Sequence, residues 1–153
     1  PQQVADAFAE APPGHLSVSG VIHHAIRYAR NHERYILLTL GTEPVVYPDE
    51  VAGSLRYAAA LGPALALTRG QDRPTRLTVR ATDPAVRFDV VVDDRVEVHT
   101  VESSGPATDL ELTGDAVELL EALSIRLPLP PSAPAEWVRM RDGLAVTFDS
   151  PPS

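Results

Sequence analysis

The hydrophobic period of this chain changes once, near residue 75, and that change restricts the folds open to it more than any other feature. Before it, apolar residues recur at spacings of three, four and seven: Val18, Val21, Ile22, Ile26, Ala29, Ile36, Leu37 and Leu40, then Val51, Leu55, Ala58 and Leu61. That spacing gathers them on one stripe of an α-helix. After it they alternate, as Leu77, Val79 and Ala81 and then Val86, Phe88, Val90 and Val92. Alternation suits a strand with one buried face. Helices followed by strands predict an α+β architecture.

Local punctuation sets the expected boundaries. A short helix over 2–10 stops at "APPG"; Ser17 or Ser19 caps a helix over about 18–40, and Gly41 ends it. "TEPVVYP" reads as extended loop. Asp49 caps a second helix, which Gly62-Pro63 ends or kinks. "QDRPT" at 71–75 then divides a helical unit, 1–70, from an α+β unit, 75–150. "RLTVRA", "VRFDVVV" and "RVEVHTV" are expected as an antiparallel meander, with Arg87 and Asp89 opposite the apolar face. "ATDLELTG" is a fourth strand, "DAVELLEALS" a helix capped by Asp115, and "LAVTFD" a last strand. The expected fold is N-terminal helices followed by an antiparallel sheet with one or two covering helices.

Composition narrows the function. With 153 residues, 44% of them hydrophobic, the chain buries a real core. Its formal charge of −8 repels phosphate backbones and anionic lipid, so neither nucleic acid nor membrane is an expected partner. There is no cysteine, and all 13 basic residues are arginine. Thiolate metal sites, cysteine nucleophiles and lysine Schiff bases are therefore excluded. The start, "PQQVADAFAEAPPG", has no basic or apolar run, and "YILLTL" is too short to span a bilayer. A soluble cytoplasmic protein is expected.

The stretch "VIHHAIRYARNHERY" concentrates the titratable groups. His23, His24 and His32 stand among Arg27, Arg30 and Arg34. Read as a metal site, it offers His23 and His24; no HxxxH pair occurs, and His24 and His32 are two helical turns apart. Read as an anion site, Arg27, Arg30 and Arg34 recur at three and four, so their guanidinium groups converge on a carboxylate or phosphate. Read structurally, the same arginines pair with Glu33, Glu43 or Asp49 on a solvated flank. The β half holds no nucleophile elbow, and no catalytic residue is assigned there. Asp93-Asp94 is a turn. His99 with Glu97 is a proton-transfer pair or a cross-strand salt bridge. A sheet with a covering helix can enclose an apolar cavity, lined here by Phe88, Val90, Leu112, Leu119, Leu120, Leu123 and Trp137. Arg27, Arg30, Arg34, Phe88 and Trp137 are thus the candidate ligand-binding residues.

"LTVRATDP", "FDVVVDDRVEV" and "ATDLELTGDAVELLEALSIRLPLP", over about 75–130, resemble the C-terminal domain of mycothiol-dependent maleylpyruvate isomerases, a sterol-carrier-like α+β fold. In "SIRLPLP", Ile125 stands where that family has glycine. The resemblance implies a preceding helical bundle in which a His, a Glu four residues before it and a further His hold a divalent metal that activates the mycothiol thiol. On "SGVIHH", His23 falls at the ligand position and Ser19 at that of the Glu; with His24 the position is Gly20. Ile26 replaces the acid that usually follows. The expectation is a non-catalytic small-molecule-binding or accessory relative without a cofactor, its ligand apolar or anionic. One alternative is a mycothiol-dependent isomerase or transferase whose altered divalent-metal site uses His23 and His24. Another is a structural partner of a separate helical bundle. Whether the chain is an enzyme stays open. Its N-terminal helices are expected to pair two copies as a homodimer.

Overall fold

The computed structural model describes residues 29, 33–34, 36–37, 39–43, 45–68, 70, 74–102 and 104–149. The expected helix over 2–10 and most of that over 18–40 lie outside these residues. The second ends as its glycine predicts: Gly41 has φ +70°, and the Thr42 amide donates back to the Leu37 carbonyl at 2.8 Å.

Helix α1 (Pro48–Thr68) opens with proline at its first position and Asp49 and Glu50 in its first turn. Both choices suit a helix N-terminus, which lacks acceptors for its first amides and favours negative charge. Of the two outcomes expected at Gly62-Pro63, an end or a kink, the end does not occur. The helix continues through Pro63, which is fully buried. Packing outweighs the lost backbone bond, because the backbone at Gly62 lies directly against the helix that closes the chain, α3 (Ala135–Asp149). A Cβ on Gly62 would lie 2.9 Å from the Met140 carbonyl oxygen. The strand expected at "LAVTFD" is instead the C-terminal part of α3. Trp137, Met140 and Leu144 recur at three and four and are all buried, so the helical phase already running carries the chain through a six-residue stretch that alternates only briefly.

Strands β1 (Thr75–Thr82), β2 (Val86–Val92) and β3 (Val96–Thr100) form the expected antiparallel meander, with Val79 opposite Phe88 and Val90 opposite Val98. Strand β4 (Glu111–Asp115) joins on the other side of β1, giving the order β3-β2-β1-β4. It runs parallel to β1, pairing Leu112 with Val79, so the sheet is mixed and not wholly antiparallel. The physical reason is the connection. After β3 the chain crosses the sheet to its far edge, and a crossover delivers the next strand in the same direction as the one it left. The α+β class holds: among the described residues, the long helix α1 precedes the sheet and two helices follow it.

One core joins these elements. Leu77, Val79, Phe88, Val90, Val92 and Leu112 face Val51, Leu55, Ala58 and Ala59 of α1 and Leu119, Leu120 and Leu123 of α2 (Ala116–Leu123). Asp115 caps α2: its Oδ1 accepts the amides of Val117 and Glu118 at 2.9 and 3.0 Å. The other end of α2 closes on Ile125, at φ +67°. The Arg126 amide reaches the Glu121 carbonyl at 2.9 Å and the Ile125 amide the Ala122 carbonyl at 3.1 Å. This is the left-handed cap that glycine normally occupies. Among the described residues no helix is long and apolar enough to cross a membrane.

Candidate functional site

A cavity of about 260 Å³, open on one side, lies where the 33–47 segment, the first turns of α1 and one face of α2 meet. Its apolar wall is Leu37, Val45, Val46, Val51, Val117 and Leu120. Each wall residue has a local cause. Val51 and Leu120 belong to the inward stripes of their helices. Val45 and Val46 come from "TEPVVYP", outside any helix or strand and just before Pro48 opens α1. Among the described residues, Glu33, Arg34, Glu43 and Glu50 supply the charge of the lining, and Thr42, Tyr47 and Ser54 its hydroxyls.

Arg34, one of the predicted anion-binding arginines, does line this cavity. Its guanidinium is already engaged: Nη1 donates to Glu121 Oε1 at 3.2 Å. Glu121 is buried on α2, and its other oxygen faces Arg126 Nη1 at 3.5 Å. A carboxylate in that position needs both cations, because burial without them is costly. Arg34 therefore ties the 33–39 segment to α2. Arg27, Arg30, His23 and His24 lie outside the described residues. Among the described residues no group of three or more histidines and carboxylates is placed to hold a metal ion.

Phe88 and Trp137 sit in the shared core. Phe88 is fully buried beneath α1, with the Arg56 guanidinium carbon 5.8 Å from its ring centre. Trp137 is buried too, and its indole Nε1 donates to the Leu110 carbonyl at 3.0 Å, fastening α3 to the start of β4. Of the seven residues expected to line a cavity between sheet and helix, Leu120 borders the observed one; all seven belong to the packed core. Sequence reading missed Val45, Val46, Ser54 and Val117. The visible signal was Val45-Val46, an apolar pair inside a loop; Ser54 carried none, being one small residue on an alanine-rich helix.

The far face of the sheet holds the other concentration of polar groups. Arg87 and Asp89, expected opposite the apolar face, lie there and are buried, with the carbonyls of Glu102 and Pro106 against the Arg87 guanidinium. Arg87 donates to the carbonyls of Glu102 and Pro106 and to Glu111 Oε2. Arg80 donates to Glu111 Oε1 at 2.9 Å and to the Gly105 carbonyl at 2.7 Å. Beside them Thr108 donates to Thr78 Oγ1 at 3.0 Å, and Thr78 to Asp89 Oδ1 at 2.9 Å. Glu111 joins β4 to β1 and β2, and the bonds to the 102, 105 and 106 carbonyls and from Thr108 join the sheet to the crossing segment, so the cluster acts as bracing. His99 and Glu97 meet at 3.1 Å within one exposed strand, not across two, and Glu97 also pairs with Arg95. On α3, a hydrogen bond from Arg139 to Glu136 raises the arginine further above its ordinary pKa, so it stays charged throughout the working pH range.

The fold and the cavity together define an α+β protein with an apolar, half-open recess beside its covering helix. The chain matches no protein-family profile, no curated protein and no solved structure.

Proposed function

We propose that this chain is a non-catalytic small-molecule-binding or accessory protein related to the mycothiol-dependent isomerases, and that the recess between the 33–47 segment, α1 and α2 is its ligand site. One observation carries the reading: a 260 Å³ space walled by Leu37, Val45, Val46, Val51, Val117 and Leu120. Closed apolar cavities of ~150 Å³ bind benzene, so this one has room for a larger molecule. Binding sites of this kind are mostly apolar with a few polar groups that fix orientation.

The test is a titration of the labelled protein with ethylbenzene, followed by amide chemical shifts. Saturable shifts at Val51, Ser54, Val117 and Leu120, abolished by Leu120→Trp, are expected. Absence of any saturable shift in the wild-type chain removes the reading.

A second observation favours self-association. Ile36 and Leu40, one helical turn apart, are 59% and 71% exposed. Two such apolar stripes bury each other in a homodimer. Sedimentation equilibrium is expected to give a dimer that Ile36→Asp with Leu40→Asp converts to monomer; a wild-type monomer at every concentration refutes it.

A further inference from the structure

Resting on that reading of the recess, we propose that its ligand is an uncharged apolar carbonyl compound, a ketone or ester, whose oxygen accepts a hydrogen bond from the Ser54 hydroxyl. Ser54 lines the recess and is only 7% exposed. Among the described residues its hydroxyl makes no hydrogen bond to protein. A helical serine commonly returns its hydroxyl to the carbonyl four residues back; Ser124 does so, to Leu120. Ser54 does not, and its donor is left for whatever fills the space. The hydroxyl opens onto the recess rather than being sealed in protein, so a ligand acceptor placed there takes over the bond that water would otherwise receive.

Charge selects against ionised ligands. The guanidinium that lines the recess, Arg34, is already held by Glu121. Glu33, Glu43 and Glu50 also line it, and a ligand carboxylate would meet all three. This replaces the anionic ligand that the arginine spacing suggests on its own. For an ammonium group, Glu33 and Glu43 stand at the exposed outer edge, where water screens them, and Glu50, half-buried one turn before Ser54, is already engaged within the protein. The apolar walls Val51, Val117 and Leu120 offer an ammonium nothing in exchange for its lost hydration.

Four probes of one skeleton separate these classes: acetophenone, ethylbenzene, benzoate and benzylamine, each titrated into the full chain and followed by amide shifts. Acetophenone is expected to bind most tightly. Ser54→Ala should weaken it about fivefold, the worth of one neutral hydrogen bond, while ethylbenzene binding stays unchanged and shows that the fold and cavity survive. Tighter binding of benzoate or benzylamine overturns the proposal, as does an acetophenone affinity that Ser54→Ala leaves untouched. In either case ethylbenzene still binds and the ligand site itself stands; if ethylbenzene fails as well, it is the site that is refuted.

Discussion

Arg87 on β2 reaches past β1 to Glu111 on β4, its Nε and Nη2 lying 3.3 and 3.1 Å from the same carboxylate oxygen. Both side chains are nearly inaccessible to water, at 7% and 6% exposure. Arg80 takes the other oxygen of Glu111. One carboxylate thus compensates two guanidinium groups and fixes the spacing of three strands. Removing one partner of a buried ion pair strands the other. Glu111→Ala is therefore expected to cost about 3 kcal/mol in urea denaturation. A loss below ~1 kcal/mol would mean that the carbonyls of residues 102, 105 and 106 suffice for both arginines.

Gly105 belongs to the same brace. A Cβ there would stand 2.1 Å from Arg87 Nη1, which can give way only by breaking its bonds to the Glu102 and Pro106 carbonyls and Glu111. Gly105→Ala should cost about 2 kcal/mol by overpacking. In an Arg87→Ala background the obstacle is gone and the cost should fall close to zero. Additive losses in the double mutant would contradict the contact.

Gly62 offers a test with a reversed sign. Glycine to alanine within a helix normally stabilises by ~1 kcal/mol. At this site the new methyl would meet the Met140 carbonyl, backbone that cannot turn aside. Gly62→Ala should lower the thermal midpoint, with a net loss of at least ~1 kcal/mol. A raised midpoint would show that α1 and α3 do not cross so closely.

Ile125 holds a left-handed conformation, φ +67°, that a β-branched residue adopts only at a cost of roughly 1–2 kcal/mol. Glycine removes that strain and gives back part of the gain through greater freedom of the unfolded chain. Ile125→Gly should raise stability by ~0.5 kcal/mol or more, measured by denaturant midpoint at unchanged slope. Destabilisation would mean that the partly buried Ile125 side chain contributes more through packing than its backbone loses.

Much of the sheet was readable from alternation. Leu77, Val79 and Ala81 with Phe88, Val90 and Val92 are the buried face of β1 and β2, as their period implies. Asp115 and Gly41 act as the caps their residue types suggest, because capping depends on the few residues beside it. The recess was not readable in this way. Its wall combines Val46 from a loop, Val51 and Ser54 from α1, and Leu120 from α2, and no local period links them.

The sequence by itself determined where helix gives way to strand, which strand faces are apolar, and which chemistries are closed to a chain without cysteine or lysine. These follow from side-chain type and nearest neighbours. Tertiary structure alone decided that β4 runs parallel, that α1 continues through Pro63, that "LAVTFD" is helical, and that Arg87 and Asp89 are buried. Each depends on a segment distant in the chain, the crossover over the sheet or α3 over Gly62. Burial against that segment outweighs the local preference of the residues it covers.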